Sequence, residues 1–200
     1  IGRSLVNDIN RFTAIRLHQN GNLDLTFGNG GTFYCNSTIA PNGDEDEAYA
    51  GALQSTGKII LYGNTTLNTA ATRFALLRLT TNGELDRSFG NNGAIYIVNP
   101  IAGGGADQFD FPGIKGLVIR PDDKILVVGT STRGSEFFYA IAQFTKDGQL
   151  DTTFGTNGYM TIPYSISGNV TSDVCNDLVL QRDGKIILAG QTDGPRSEER

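Results

Sequence analysis

The sequence repeats itself with a period of just over sixty residues, which limits it to architectures built by adding one small unit after another. A block ending in L-D-x-x-F-G occupies residues 12–28 and recurs at 74–90 and 139–155, after 62 and then 65 residues. A second block contains K-I-x-x-x-G, and its copies follow one another after 66 and 61 residues; they occupy residues 53–63, 119–129 and 180–190. Two blocks that keep one period over three copies predict a repeat array.

One period divides into four predicted strands, because turn residues separate its apolar runs. The middle copy gives strands at residues 94–98, 114–120, 124–130 and 137–144. The pairs Thr56-Gly57, Asp122-Asp123 and Asp183-Gly184 stand where two-residue hairpin turns are expected, and the 26 glycines of the chain fit many such turns.

Three of the predicted strands are apolar at every position. In a sheet that has one face in solvent, apolar and polar residues would alternate instead. They cover residues 59–62, 125–128 and 186–189. Such strands must be covered on both faces, as happens when small sheets pack face to face. We therefore predict an all-β, β-propeller-like array of four-stranded antiparallel blades. A β-solenoid is the alternative, although its coils are usually shorter than this period.

The chain is expected to form one array over residues 1–200, with about three repeats of 61–66 residues cut in mid-blade at both ends. Its divisions are a partial blade, two repeats and a partial repeat, at residues 1–28, 29–90, 91–155 and 156–200. Three blades are fewer than the four to eight of most propellers. We expect the ring to be completed by further repeats or by a second chain.

The L-D-x-x-F-G unit is interpreted as a rigid link that carries the chain from the outer strand of one blade to the inner strand of the next. Its aspartates, Asp24, Asp86 and Asp151, are placed to accept backbone N–H groups two or three residues on. The leucine and phenylalanine of each copy would fix the link to apolar surface. The final glycines would allow a tight exit; they are Gly28, Gly90 and Gly155.

The combination of N/D-G-x-L-D-x-x-F-G and D-G-K-I-x-x-x-G at this spacing resembles the delta-60 repeat, a bacterial β-propeller-type repeat, over essentially the whole chain. The resemblance implies architectural roles for the motif residues and no activity. It also implies a large secreted or surface-attached bacterial protein. The chain departs from the pattern at Ser55-Thr56 and at Asp123, which replaces the hairpin glycine.

Few side chains indicate catalysis. His18 is the only histidine and is expected to be solvated at a strand end, so neither a Ser-His-Asp arrangement nor a histidine-rich zinc site fits this chain. Cys35 and Cys175 lie in different phases of the repeat, which predicts two buried free thiols rather than a disulfide. We therefore predict no catalytic residue, no metal ligand and no cofactor, and leave the ligand-binding residues open.

Two loops are candidate ion sites. The acidic run could collect Ca²⁺ or supply an acid and a base for glycoside cleavage, but the matching stretches of the other copies carry far less charge; its members are Asp44, Glu45, Asp46 and Glu47. A solvated loop is the favoured interpretation. Residues 103–107 resemble a calcium or phosphate loop but lack the remaining spacing of either, which favours a flexible loop.

The function expected from these observations is a non-enzymatic binding or scaffold module, because loops that differ between copies stand on a constant frame. These loops cover residues 41–47, 100–112 and 162–171, and we expect them to contact protein or glycan. A net charge of −5 and short apolar runs argue against nucleic-acid binding and membrane insertion. The alternatives are a structural spacer and a carboxylate-based glycoside-cleaving propeller, to which Asp46 or Asp173 would contribute. Low lysine and the resemblance favour an extracellular or cell-surface location.

Overall fold

The computed structural model describes residues 2–6, 9–35, 39, 43–67, 71–97, 116–133, 136–162 and 173–192. Every regular element in these ranges is a β-strand, and no helix there is long and apolar enough to cross a membrane. The strands are β1 Gly2–Val6, β2 Ile9–Ile15, β3 Thr32–Tyr34, β4 Gly43–Leu53, β5 Ile59–Leu67, β6 Ala71–Leu79, β7 Ala94–Ile97, β8 Leu117–Ile119, β9 Ile125–Arg133, β10 Glu136–Phe144, β11 Tyr159–Ile162, β12 Asp173–Leu180 and β13 Ile186–Thr192.

These strands form four antiparallel sheets that follow one another along the chain. Sheet 1 has the order β1-β2-β3, sheet 2 the order β4-β5-β6-β7, sheet 3 the order β8-β9-β10-β11 and sheet 4 the order β12-β13. In sheets 2 and 3 each strand pairs with the next strand of the chain. The predicted fold class, an all-β array of four-stranded antiparallel blades, is confirmed.

The interpretation of L-D-x-x-F-G as a link between blades is wrong. The strand that follows this unit returns to the sheet that the chain has just left: β7 pairs with β6 through Leu77 and Ala94, and β3 pairs with β2 in the same way. The unit is therefore a connection inside one sheet, and the strand predicted as the inner strand of the next blade is the outer edge strand of its own. The chain changes sheets only after β3, β7 and β11.

The core lies between consecutive sheets, as the continuously apolar strands predict. In β5 the side chain of Leu61 packs towards sheet 1, whereas its neighbours Ile60 and Tyr62 pack towards sheet 3. All three are buried, and the run in β9 is buried throughout. The run in β13 departs from the prediction, because Ile187 is 49% exposed. The core residues described around β13 all lie on the side of sheet 3. Among the residues that the structure describes, none covers the other face of this strand.

The acidic run is also placed differently from the prediction, since Asp46 belongs to β4 rather than to a solvated loop. Its side chain is fully buried and forms an ion pair of 3.3 Å with the Nη1 atom of Arg11 in sheet 1. Successive side chains of a strand point to opposite faces, and Glu47 accordingly lies on the other face, where the Tyr49 hydroxyl donates to it. The buried pair thus joins sheets 1 and 2.

Candidate binding grooves between neighbouring sheets

Each L-D-x-x-F-G connection is held by its aspartate, as the sequence predicts. One oxygen of Asp86 accepts both the backbone N–H of Ser88, at 3.1 Å, and the hydroxyl of Ser88, at 2.6 Å. Asp24 and Asp151 make the same pair of bonds to the threonine two residues on. The three connections therefore share one rigid turn.

The second oxygen of the aspartate ties the two sequence motifs together. The Lys58 ammonium, from the K-I-x-x-x-G block, lies 2.8 Å from Asp86, and Lys124 lies 3.0 Å from Asp151. The Nε atom of Arg78, which is almost fully buried, also lies 2.8 Å from Asp86. Burial alone would raise the pKa of Asp86, but the hydrogen bonds from Lys58 and Ser88 and the charge of Arg78 outweigh it and hold that pKa well below its ordinary value.

The connection of one sheet rests on a turn of the next sheet. The Phe89 ring covers Gly148, so that a Cβ atom on Gly148 would lie 2.8 Å from the ring. The Gly90 N–H donates to the Asp147 carbonyl at 3.0 Å. The same arrangement joins sheets 1 and 2, where Phe27 covers Gly83. Each sheet is thereby fixed at a set position on its neighbour.

The arginine of this assembly contacts both sheets. The Arg78 guanidinium lies over the Phe89 ring, 4.7 Å from its centre, and its Nη1 donates at 2.8 Å to the Lys146 carbonyl of sheet 3. Arg16 does the same between sheets 1 and 2, donating to the Thr81 carbonyl at 2.7 Å. A buried cation over an aromatic face adds to the packing.

The fixed spacing leaves an open groove between the outer edges of sheets 1 and 2, which we call the first groove. Its volume is about 390 Å³. One wall is β3 with the connection before it, and the other is the turn and connection of sheet 2. Its lining residues are Gly28, Asn29, Thr32, Phe33, Tyr34, Cys35, Gly83, Glu84, Leu85 and Arg87.

An equivalent groove of about 420 Å³, the second groove, lies between sheets 2 and 3. Several of its residues correspond to those of the first groove one repeat later: Asn91 stands where Asn29 stands, and Gln149 where Glu84 stands. The two grooves therefore share a backbone frame but differ in charge. The side chains of Tyr34 and Tyr96, which pair with Thr13 and Ala75, belong to the opposite faces of their strands.

Comparison with known proteins agrees with this architecture. Residues 54–89 and 120–154 match the family model described as "Domain of unknown function (DUF5122) beta-propeller". The match supports the β-propeller-like array of antiparallel blades that the sheets form. The two matched segments both run from the hairpin of the K-I-x-x-x-G block to the L-D-x-x-F-G connection, the parts that Lys58 and Lys124 tie together. No curated protein and no solved structure matches the chain.

Neither groove is predicted by the sequence. One wall of a groove comes from one repeat and the other wall from the following repeat, so the two halves are far apart in sequence. The available signal is the variable position after the turn glycine in N/D-G-x-L-D-x-x-F-G, which Glu84 and Gln149 occupy.

The residues singled out from the sequence do not meet at one place. His18 is exposed and lies 3.8 Å from Asp24, in keeping with a surface position. Cys35 and Cys175 are both buried thiols, in sheets 1 and 4, as predicted. Burial raises the pKa of the Cys175 thiol to about 11, which makes it a poor nucleophile.

Among the residues that the structure describes, no three His, Cys, Asp or Glu side chains lie close enough together to hold a metal ion. Asp46 faces Arg11 rather than another carboxylate. The glycine-rich stretch 103–107 lies outside the described residues, as do the loops 100–112 and 163–171.

Proposed function

We propose that this propeller segment is a non-enzymatic binding module that recognises protein or glycan. The observation that carries the proposal is the pair of equivalent grooves: the same connection and glycine turn recur in both, whereas the polar side chains that line them change from Glu84 and Arg87 to Gln149. A constant frame with changing surface residues is typical of recognition surfaces. The grooves thus take the role that the sequence assigned to the loops.

The ion pairs that the aspartate carboxylates form with basic side chains support a non-enzymatic role. Asp86 and Asp151 lie within ion-pair distance of Lys58 and Lys124, and Asp46 is buried against Arg11. Glycoside cleavage needs two carboxyl groups on either side of the scissile bond. These aspartates instead hold the turns and sheets together.

We further propose that the chain is of the delta-60 repeat type and comes from a secreted or surface-attached bacterial protein. The support is the resemblance of its two motifs; the family match supports only the β-propeller part of this proposal. A cell-fractionation experiment on the source organism would test the location, and recovery of the protein from the cytosol alone would contradict it.

We propose that a further repeat of the same kind covers the outer face of sheet 1, supplied by the same protein or by a second chain. Ile15 and Leu17 are about half exposed there, whereas their counterparts Leu77 and Leu79 are buried against sheet 1 itself. We expect this face to bind an apolar dye and the chain to self-associate in light scattering. A monomer that binds no dye would contradict the proposal.

The binding function is tested with the labelled chain on printed arrays of glycans and of short peptides. We expect one class of probe to bind, and a variant with Glu84→Ala and Gln149→Ala to weaken that binding, because both side chains are exposed and line the grooves. Val179→Ala is the matched control, because Val179 is exposed on sheet 4, away from both grooves. Absence of binding to every probe, or binding that the two substitutions leave unchanged, would overturn the proposal and favour a structural spacer, the role that the contacts between sheets would also serve.

A further inference from the structure

Sheets 1 and 4 each lack part of the strand pairing that sheets 2 and 3 contain. In sheets 2 and 3, residues 59–62 and 125–128 of the second strand pair with the end of the third strand. The equivalent residues of sheet 4, 186–189 in β13, pair only with β12 within the part of the chain that the structure describes. The equivalent end of the third strand in sheet 1 is residues 14–17, but β1 pairs with β2 only as far as Thr13. Each of the two sheets thus has the segment that the other lacks.

The ion pair that joins the two sequence motifs is divided between the same two sheets. In sheets 2 and 3 the lysine of the K-I-x-x-x-G block pairs with the aspartate of the connection in its own sheet. Lys185 of sheet 4 is 77% exposed, and among the described residues it pairs with Asp183, two positions away. Asp24 of sheet 1 lies near Arg16 and His18, and no described lysine pairs with it. One sheet has the lysine and the other has the aspartate.

A contact between an arginine and a glutamine is divided in the same way. In sheets 2 and 3 the arginine donates to the glutamine at 3.4 Å. At the equivalent positions sheet 1 has Arg16 and sheet 4 has Gln181. Sheets 1 and 4 therefore contain one member each of this contact as well.

The exposed apolar side chains lie on complementary parts of the two sheets. On sheet 1, Ile15 and Tyr34 are exposed because they lie on the face opposite to Ala14, which packs on sheet 2. On sheet 4, Val179 and Ile187 pair with each other on the face opposite to sheet 3. The two bare surfaces belong to different strands of the repeat unit, as the two halves of one sheet would.

We propose that two copies of this chain associate by completing each other's sheets, with β13 of one copy pairing with β2 of the other. Residues 186–189 then lie beside residues 14–17, in the antiparallel register of the complete sheets. Residues 190–192 take the place that residues 2–4 hold beside β2, so that one continuous strand pairs with all of β2. This inference rests on the proposed covering of sheet 1 and names the element that covers it, sheet 3 of the second copy.

The shared sheet restores both divided contacts. Lys185 of one copy reaches Asp24 of the other, and Arg16 donates to Gln181, as their equivalents do in sheets 2 and 3. Polar pairs of this kind fix the register and the partner more than they add affinity. The affinity comes from the apolar side chains that the association removes from water.

A pair of copies also satisfies the geometry of a ring. Sheets 2 and 3 of both copies and the two shared sheets give six blades, within the four to eight that most propellers have. Closure of one copy on itself would give three. In the pair, Ile15 lies against sheet 3 of the other copy and Ile187 lies against sheet 2 of the other copy, so one arrangement covers both bare faces. The contact is used twice around a two-fold axis and closes.

The first experiment is sedimentation equilibrium of the whole chain, in which we expect twice the chain mass of 21.4 kDa. Lys185→Glu places a carboxylate beside Asp24 and should raise the dissociation constant of the pair at least about tenfold. Lys185→Arg, the matched control, keeps the charge and should change this constant less than about twofold. Circular dichroism checks that each variant is folded.

Disulfide cross-linking tests the register. A chain with Ile15→Cys is mixed with a chain with Leu188→Cys, because these residues stand opposite each other in the shared sheet and opposed Cα atoms lie about 4.5–5.5 Å apart, within disulfide range. Neither chain has both substitutions, so the cross-linked product joins two copies, and the native cysteines are buried. Leu25→Cys, at a more exposed leucine outside the pairing, is the control and should not cross-link with Leu188→Cys.

A pair that Lys185→Glu leaves unchanged would overturn this inference, and so would equal cross-linking at Ile15→Cys and Leu25→Cys. A chain that sediments as a monomer but binds an apolar dye would overturn the second copy and leave the proposed covering of sheet 1 by a further repeat standing. A monomer that binds no dye would remove both.

Discussion

The hydroxyl of Ser55 in sheet 2 lies 2.5 Å from the Asp123 carboxylate in sheet 3, and the Ser55 backbone N–H donates to the same carboxylate at 2.7 Å. Both residues are departures from the repeat, since other copies have glycine at the position of Asp123. Asp123 adopts the left-handed backbone that this position needs, with a φ of 63°. The two departures therefore compensate each other across the boundary between the sheets.

This contact predicts coupled stabilities. Ser55→Ala removes one charge-assisted hydrogen bond at an exposed site and should lower the free energy of unfolding by about 0.5–1 kcal/mol. Asp123→Gly removes the acceptor but relieves the backbone, so its effect should be small. In a double-mutant cycle measured by urea unfolding, the serine substitution should cost almost nothing once Asp123 is glycine. Thr56→Ala, at the next position, serves as the control, and full additivity would contradict the coupling.

The packing of the Phe89 ring on Gly148 predicts a difference between two equivalent turns. Gly148 and Gly21 share a left-handed backbone, with φ of 87° and 84°, but a Cβ atom would meet Phe89 at Gly148 and open space at Gly21. Gly21→Ala should cost about 1 kcal/mol from backbone strain alone. Gly148→Ala should cost at least about 2 kcal/mol more, because the Phe89 ring and the Ile95 side chain beside it must both move. Equal melting temperatures for the two variants would show that the ring does not hold the sheets together.

The frame could be predicted from the sequence because its residues recur in phase. Asp86, Phe89 and Gly90 each have one structural role that only a few residue types can fill, so the same residue types recur in every copy. The boundary between sheets could not be predicted in this way. A repeat determines the period but not the residue at which each sheet begins. Glycine and aspartate suit a turn that leads into the same sheet as well as they suit a turn that leads to the next sheet.

Contacts whose residue types change from one repeat to the next could not be predicted from the sequence either. Arg78 donates to Gln54 in sheet 2, and in sheet 3 the two residue types are exchanged, so that Arg120 donates to Gln143; both distances are 3.4 Å. In the sequence alone, the exchange of arginine and glutamine between the two positions resembles random variation. The groove residues Asn29 and Glu84 are likewise far apart in sequence and unnecessary to the core, so no hydrophobic pattern marks them.

The aspartates of the connections predict loss of stability in acid. The folded-state pKa of Asp86 lies below its unfolded value of 3.8. Its stabilising contribution is therefore complete above the unfolded pKa and is lost as the pH falls through 3.8 towards the folded value. Asp86→Asn should lower stability at pH 7 by about 3 kcal/mol, because Arg78 is left buried without its carboxylate partner.

The same substitution should flatten the dependence of unfolding free energy on pH between about pH 5 and pH 3, where the wild-type carboxylate begins to be protonated. Asp122→Asn is the control, since Asp122 is 55% exposed. An unchanged pH profile for Asp86→Asn would show that the carboxylate does not supply this stability.

The buried pair of Arg11 and Asp46 predicts the opposite dependence on pH. Burial is the largest influence on Asp46 and raises its pKa above 3.8, and the charge of Arg11 offsets this only in part. The folded protein therefore binds this proton more tightly than the unfolded chain does, so this contribution to stability falls as the pH rises through the folded pKa. Arg11→Met should destabilise the protein by about 3 kcal/mol at pH 7, because Asp46 is then buried without a counter-charge.

Near pH 4 the cost of Arg11→Met should be smaller than at pH 7, since the raised pKa of Asp46 leaves a larger fraction of its carboxyl groups protonated at the lower pH. Adding Asp46→Asn should recover part of the stability at pH 7 and remove the extra dependence on pH. Urea unfolding at pH 4 to pH 8 measures both effects, and Arg87→Met, at an exposed arginine, should change stability by less than about 0.5 kcal/mol. If Arg11→Met costs the same at every pH, Asp46 does not ionise against Arg11, and the junction of sheets 1 and 2 is held by packing alone.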